Sequence, residues 1–476
     1  MSISIAACSY NKLPAIGLCL NLFFSLVSGP CAAQAPDPYA SSNGGIPDPS
    51  EYQGPLFSLS HDYPSQVDAA SRFPWQDAIG GRQITTANAG TYTNALKVFV
   101  SADMAQLLTQ YPSWNAAERG WFNEPWLGGI RESIHGLYVG SEVFTPDLFP
   151  GTGLAKQFTT YVLTYYGRKA ANTLFKVWGS TATSPNLKAD STQFAEGSVI
   201  VKLAFSTANA DAWPVMTGAL QWPAFIKTNA TSGDHSLPRV DMLSFFQFDI
   251  IVKDLASAPK TGWVFTTLVY DKDAPGNSPW DKMVPLGAMW GNDPDINFEL
   301  NPNAALQESW INPAAPSYSK ATLGWGGRLA GPNDGAVNGA AFMDGGQIKK
   351  VAMLPSSSCM SCHGVSEWEM ASFLLPSTKM PPTIIDHEDI LMPAPGSVDW
   401  RRWFQSRSGT EAQDRQKVAF DYDLVLVFKS LPLWQQATGQ QPRTVLLSRT
   451  GKPIELFQYN GLPFSGGPNS PAGVRR

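Results

Sequence analysis

Cys359-Met360-Ser361-Cys362-His363 is the stretch on which the reading of the C-terminal third turns. Cysteines three apart lie on one helical turn and project the same way, and a histidine directly after them sits beside the pair. The pattern C-x-x-C-H is the attachment signature of a c-type haem, in which two thiols add across the porphyrin vinyl groups and the imidazole binds iron. Cys359 and Cys362 are thus the expected tethers and His363 the expected proximal iron ligand of one covalent haem c.

Cysteine usage elsewhere strengthens this reading. Of five cysteines, Cys8, Cys19 and Cys31 fall in the first 33 residues, which read as a secretory signal peptide: Lys12 gives the positive region, Leu13 to Val27 an apolar stretch interrupted by Pro14 and Asn21, and Cys31-Ala32-Ala33 a small-residue cleavage site. Cleavage after Ala33 leaves only the two cysteines of the pentad. A structural zinc site would need a second ligand pair, which the sequence lacks. A thioredoxin-like redox pair would place a strand at Val351 to Leu354 before a helix starting at Cys359, but it needs a surrounding βαβ repeat. A disulfide across so short a loop would stabilise little.

Removing the signal leaves 443 of 476 residues and moves the formal charge from −5 to −6, because Lys12 is the one charged residue lost. That balance argues against nucleic-acid binding, which wants a basic face. With 43% apolar and 15% charged residues the composition is that of a globular protein, and no other apolar run reaches the length of a bilayer span, so no membrane span is expected after cleavage. The expected location is periplasmic or secreted.

Residues 34–74 are rich in Pro, Ser, Gly and Asp and read as a loosely ordered leader. Trp121, Trp126, Ile130, Ile134 and Leu137 recur at near-helical spacing and predict a helix within Ala117 to Tyr138, its start limited by Pro125. Phe158 to Tyr166, Asn172 to Trp178, Gly197 to Phe205, Met242 to Val252 and Trp263 to Tyr270 are short β-branched and aromatic runs that predict strands of an antiparallel sheet. Glycines punctuate Asn292 to Gln347, which reads as a long loop region of the kind that lines sites. The expected fold class is α+β, with a β-rich antiparallel large domain over 75–350, a small mainly helical haem domain over 351–435 and a C-terminal extension over 436–476.

The region from Ser356 to Leu433 resembles the class I cytochromes c. The pentad carries the resemblance, and two Met-Pro pairs, Met380-Pro381 and Met392-Pro393, look like that family's methionine loop. Asp423 to Pro432 looks like its C-terminal helix, although its run of β-branched and aromatic residues also fits a strand. The resemblance implies a thioether sulfur, from Met380 or Met392, as distal iron ligand, and both lie closer to His363 than the family usually places it. His387 sits between them as an alternative, with Met353 and Met370 less well placed. A second resemblance, of Phe194 to Lys202 followed by the pentad, is to small periplasmic β-sheet haem proteins that oxidise hydroxylamine or bind nitric oxide, in some of which a lysine cross-links to the haem. It implies a role for Lys202, which otherwise reads as an exposed strand residue.

Other motifs carry less. Asp293-x-Asp295-x-Asn297 begins like a calcium loop but has Phe298 where the glycine belongs and Ala304 where the glutamate belongs. His61, His135 and His235 are isolated, and no G-x-S-x-G elbow occurs. Trp280, Trp290, Trp310 and Trp325 either wall a haem crevice, stack on a ligand or fill a core. The expected function is therefore electron transfer by a periplasmic monohaem cytochrome, to or from a redox partner protein or small-molecule donor. The alternatives are a haem enzyme with an open sixth position acting on a small nitrogen-oxide or peroxide ligand, and a binding module with structural haem.

Overall fold

The computed structural model describes residues 36–455, apart from 43–44, 69–71, 129–130, 189, 230–232, 345–346, 369–390, 415, 439–444 and 448–452. The described residues belong to one compact unit spanning Pro36–Arg476. At its centre is a nine-stranded sheet built from β1 (Trp121–Phe122), β2 (Tyr138–Phe144), β3 (Phe158–Gly167), β4 (Val199–Ser206), β5 (Gln221–Asn229), β6 (Gly233–Lys253), β7 (Trp263–Tyr270), β8 (Met283–Met289) and β9 (Ser309–Ile311). Its main path runs β1-β3-β4-β6-β7-β8-β9, β2 pairs with β3 and β5 with β6, and every pairing is antiparallel. Coarsely the chain is α+β, as its composition of short β-rich runs predicts.

Alternation along the strands divides the sheet into two faces. Val199, Val201 and Leu203 of β4, Phe248, Ile250 and Val252 of β6, and Val264 and Leu268 of β7 belong to one buried cluster. The helix Ala89–Thr109 lies in that cluster through Tyr92, Leu96, Val100, Met104 and Leu107, whose spacing of three and four keeps them on one stripe. The opposite face buries Tyr166, Ile200, Ile251, Phe265 and Met289, against which the helix Arg168–Trp178 and the pentad segment collect.

One helical and one strand expectation exchange places. Among the described residues of Ala117 to Tyr138, helix is confined to Ala116–Arg119; it ends at Gly120 with φ of 77°, and the chain continues as β1 and turns. Asn172 to Trp178, expected as a strand, is part of the helix Arg168–Trp178: Ala170, Ala171, Leu174, Val177 and Trp178 are its buried stripe, and that amphipathic period outweighs the local β-propensity. The loop region after Asn292 does contain regular structure, since β9 lies within it and β10 (Val337–Asp344) pairs with β11 (Gln347–Pro355). Residues 36–73 carry no helix or strand where described, yet Phe57, Leu59, Tyr63 and Phe73 are buried against the body.

The region after 351 is a mosaic of short elements: the turn of helix Cys359–His363, β12 (Glu367–Trp368), β13 (Leu391–Met392), β14 (Val418–Ala419), and a π turn Leu426–Ser430 running into the helix Leu431–Thr438. The pentad helix ends at His363, and Glu367 pairs as a strand with Ala419. The Asp423 to Pro432 stretch is helical from Leu424 onward. Hydrogen bonds cross the expected boundary near 350: Ser356 N–H donates to Ala336 (2.7 Å), Trp325 N–H to Ser357 (2.9 Å) and Cys359 N–H to Leu329 (2.9 Å).

A buried ion pair joins Arg131 Nη2 to Glu124 Oε1 at 3.1 Å with both side chains fully enclosed. Burial raises the Glu124 carboxyl from 4.5 to about 7, outweighing the nearby guanidinium. A carboxyl raised in the folded state holds its proton more tightly there than when unfolded. Its contribution, about 3 kcal/mol, is therefore present below pH 4.5 and lost as pH rises through about 7. Urea titrations of Glu124→Gln across this range are expected to show a flatter pH dependence than wild type; an unchanged slope would contradict the assignment.

Candidate functional site

Register across the sheet prepares the ground for the pentad. Thr164 of β3, Lys202 of β4, Asp249 of β6 and Thr267 of β7 are successive cross-strand partners and form a polar row on the pentad side. Next to it runs the apolar row Tyr166, Ile200, Ile251 and Phe265, and beyond that the pair Lys253 and Trp263.

The pentad sits on this face as one helical turn. Ser358 caps it: its hydroxyl accepts from Ser361 N–H at 3.0 Å while its own N–H donates to Ser361 Oγ at 2.7 Å. The Ser358 hydroxyl also donates to Asn292 Oδ1 at 2.8 Å, which ties the turn to the loop after β8. Arg328, fully buried, donates to the carbonyls of Asn292, Trp325, Asp293 and Ile296 and stacks on Trp325 and Phe404, so the glycine-rich stretch is drawn around one guanidinium. Those bonds gather the segment from Asn292 to Arg328 about a single side chain.

Cys359 and Cys362 form no disulfide. Cys359 is buried, and its Sγ lies 3.6 Å from Asp334 Oδ2, a weak contact at most. Asp334 and Asp249 share Lys202, whose Nζ lies 3.2 and 2.8 Å from them, and Thr267 donates to Asp249 at 2.8 Å. Burial pushes the Cys359 thiol well up, and the carboxylates of Asp334 and Asp249 push further, with Lys202 opposing. The two carboxylates hold Lys202 as a cation against the cost of its burial.

His363 packs edge-on against Phe265 with ring centroids 4.8 Å apart. Its Nδ1 lies 2.7 Å from the Tyr422 carbonyl, so Nδ1 carries the proton and donates it, leaving Nε2 with the lone pair. Burial pushes the imidazole down to about 4, the carbonyl opposing, which keeps the ring neutral near pH 7. Neutral, tautomerically fixed imidazole is what iron ligation requires. The carbonyl comes from a turn in which Asp421 and Tyr422 have φ of 46° and 68° and Asp423 N–H donates to the Phe420 carbonyl at 2.8 Å. Such a turn usually carries glycine or asparagine, and an aspartate–tyrosine pair there stores about 1–3 kcal/mol per residue.

Of the remaining sequence candidates, Met370, Met380 and His387 lie outside the described residues. Met392 is in β13, which runs parallel to β10 with Met392 opposite Phe342, and Met353 is in β11. Lys202, from a separate part of the chain, is brought to Cys359 through Asp334. Asp293 accepts from Gln307 and Glu308 N–H groups, and Asn297 accepts from Glu299 N–H and donates to Gly396, so these calcium-loop-like side chains are engaged in backbone hydrogen bonds. Among the described residues no cluster of three His, Cys, Asp or Glu is arranged for a metal ion.

His135 is buried beside Trp222 and Tyr111 with Nδ1 2.9 Å from the Pro223 carbonyl, and His61 stacks on Tyr39. His235 lies in β6. Trp280, Trp290 and Trp325 are buried, the first two in the cluster around the long helix and the third beside the pentad; Trp310 packs against Gly90. The first three are core residues, and Trp310 is half-buried against the cluster around the long helix. Sequence reading missed Asp249, Asp334, Asp421 and Tyr422; the Asn333-Asp334-Gly335 turn was the one local signal for Asp334.

Searched against protein-family models, curated proteins and solved structures, the chain matches none.

Asp334→Asn removes one of the negative charges that raise the Cys359 thiol while leaving its burial intact. The pH profile of Cys359 alkylation in the haem-free chain is expected to move to lower pH yet stay above that of an exposed thiol; a profile unmoved or moved upward would contradict this geometry.

Proposed function

We propose that the chain is an exported monohaem c-type cytochrome whose redox centre rests on the face of a large antiparallel sheet opposite the long helix. The observation that carries this reading is the His363 side chain: donated from Nδ1 to a backbone carbonyl, neutral, and next to two cysteines outside any disulfide. Those residues fit the group. Cys359 and Cys362 would hold it by thioethers and His363 Nε2 would bind its iron. A haem so bound supplies reversible one-electron chemistry. The protein's part is to fix the imidazole, to surround it with Phe265 and Tyr422, and to keep Lys202 as a fixed cation near the Cys359 tether. The distal ligand is assigned, on the cytochrome c resemblance, to Met380 or Met392, and the partner would be a redox protein or small electron donor. Among the described residues no helix is long and apolar enough to cross a membrane.

The placement of Lys202 favours a second reading, in which the sixth position is open and the cluster of Lys202, Asp249 and Asp334 serves a small nitrogen-oxide or peroxide ligand. The cluster supplies a cation and two acceptors beside the tether, which is the polarity such ligands need.

Mass spectrometry of the chain exported from a host able to attach haem should give an added mass of one haem with neither thiol open to alkylation. Cys359→Ala/Cys362→Ala should carry none. Free thiols in the wild type would end the proposal. Carbon monoxide added to the reduced protein separates the two readings: an unperturbed visible spectrum supports a closed, electron-transferring iron, and a shifted one supports the open site.

A further inference from the structure

The turn that meets His363 is more elaborate than a hydrogen-bond acceptor needs to be. Positive φ at two consecutive non-glycine residues is uncommon, and for a bulky tyrosine it is an outlier that the surroundings must enforce. The enforcing group is Asp421. It is fully buried, its Oδ1 accepts from Lys253 Nζ at 2.6 Å and from Trp263 Nε1 at 2.7 Å, and its Oδ2 accepts from Phe194 N–H at 2.8 Å. One carboxylate therefore grips β6, β7 and the loop before β4. Gly409 gives it room, since a side chain there would collide with Oδ1. Beyond the turn, Tyr422 donates its hydroxyl to Arg407 and Asp423 accepts from Tyr166, so the segment is fixed on either side as well.

The same strand that holds Asp421 also seats the imidazole. Trp263 and Phe265 are two apart on β7 and face the same way, one donating to Asp421 and the other packing on His363. We infer that Asp421 is a positioning residue for His363: by clamping the strained turn to β6 and β7 it aims the Tyr422 carbonyl at Nδ1–H and so fixes the tautomer and basicity of the nitrogen on the other side of the ring. Asp421 touches neither the imidazole nor anything bound to it. It acts through the carbonyl.

The test has one arm that needs no haem and one that rests on the function proposed above. With five histidines in the sequence, ¹⁵N-histidine NMR of the full haem-free chain at neutral pH can assign the His363 tautomer. Wild type is expected in the Nδ1–H form. Asp421→Asn, which loses the charge that Lys253 grips, is expected to lower the Nδ1–H to Nε2–H ratio by about tenfold, the factor one ordinary hydrogen bond supplies. Trp263→Phe removes a single bond to Asp421 and leaves the charge, so it should move the ratio the same way by less; it keeps the test decisive should Asp421→Asn fail to fold. In the haem-loaded proteins both variants should shift the reduction potential to more positive values, because an imidazole that no longer donates from Nδ1 is a weaker electron donor at Nε2. A tautomer unmoved in the folded variants overturns the inference, as does an unmoved potential. A wild type that acquires no haem overturns the proposed function alone, and the tautomer ratio then decides the role of Asp421.

Discussion

The grip of Asp421 on Lys253 and Trp263 fixes how the C-terminal third meets the sheet. Without it the turn at 421–422 has no reason to adopt two left-handed residues, and without that turn no carbonyl reaches His363. A buried ion pair is costly to desolvate and adds little net stability compared with a well-packed apolar pair. What it supplies is direction: a carboxylate with three partners on three elements admits one orientation of the backbone that follows.

Sheet register does the complementary work. Period-two alternation places Lys202, Asp249 and Thr267 in one row, and Phe265, Ile251 and Ile200 in the next, on the face opposite the long helix. A slip of one residue would send the lysine and aspartate into an apolar core. The apolar row receives the imidazole, and the polar row meets Asp334 from the glycine-rich stretch. The pentad, far away in sequence from β4 and β6, thereby acquires a charged neighbourhood that its own segment does not provide.

The strands at Phe158, Gly197, Met242 and Trp263 were legible because β-branched and aromatic residues between turn formers leave few alternatives. The pentad's helical turn was legible from its spacing. The helix Arg168–Trp178 was not, because Thr173, Phe175, Val177 and Trp178 carry β-propensity and only the stripe beginning at Ala170 reveals the period. The Lys202–Asp249–Asp334 cluster and the Asp421 clamp could not be read at all. Each joins residues from separate parts of the chain, up to 227 positions apart for Phe194 and Asp421, and pairing at that range is a property of topology and not of local pattern. Lys202 emerged by resemblance to a haem-protein strand, and the fold gives it a neighbour near the pentad for reasons that the sequence alone did not contain.

The most direct measurement is anomalous diffraction at the iron absorption edge from crystals of the exported chain. The account predicts one anomalous peak at bonding distance from His363 Nε2, with His363 Nδ1 still donating to the Tyr422 carbonyl and continuous density from Cys359 and Cys362 to the porphyrin. Well-ordered crystals without such a peak, or with iron held elsewhere and both thiols unmodified, would contradict it.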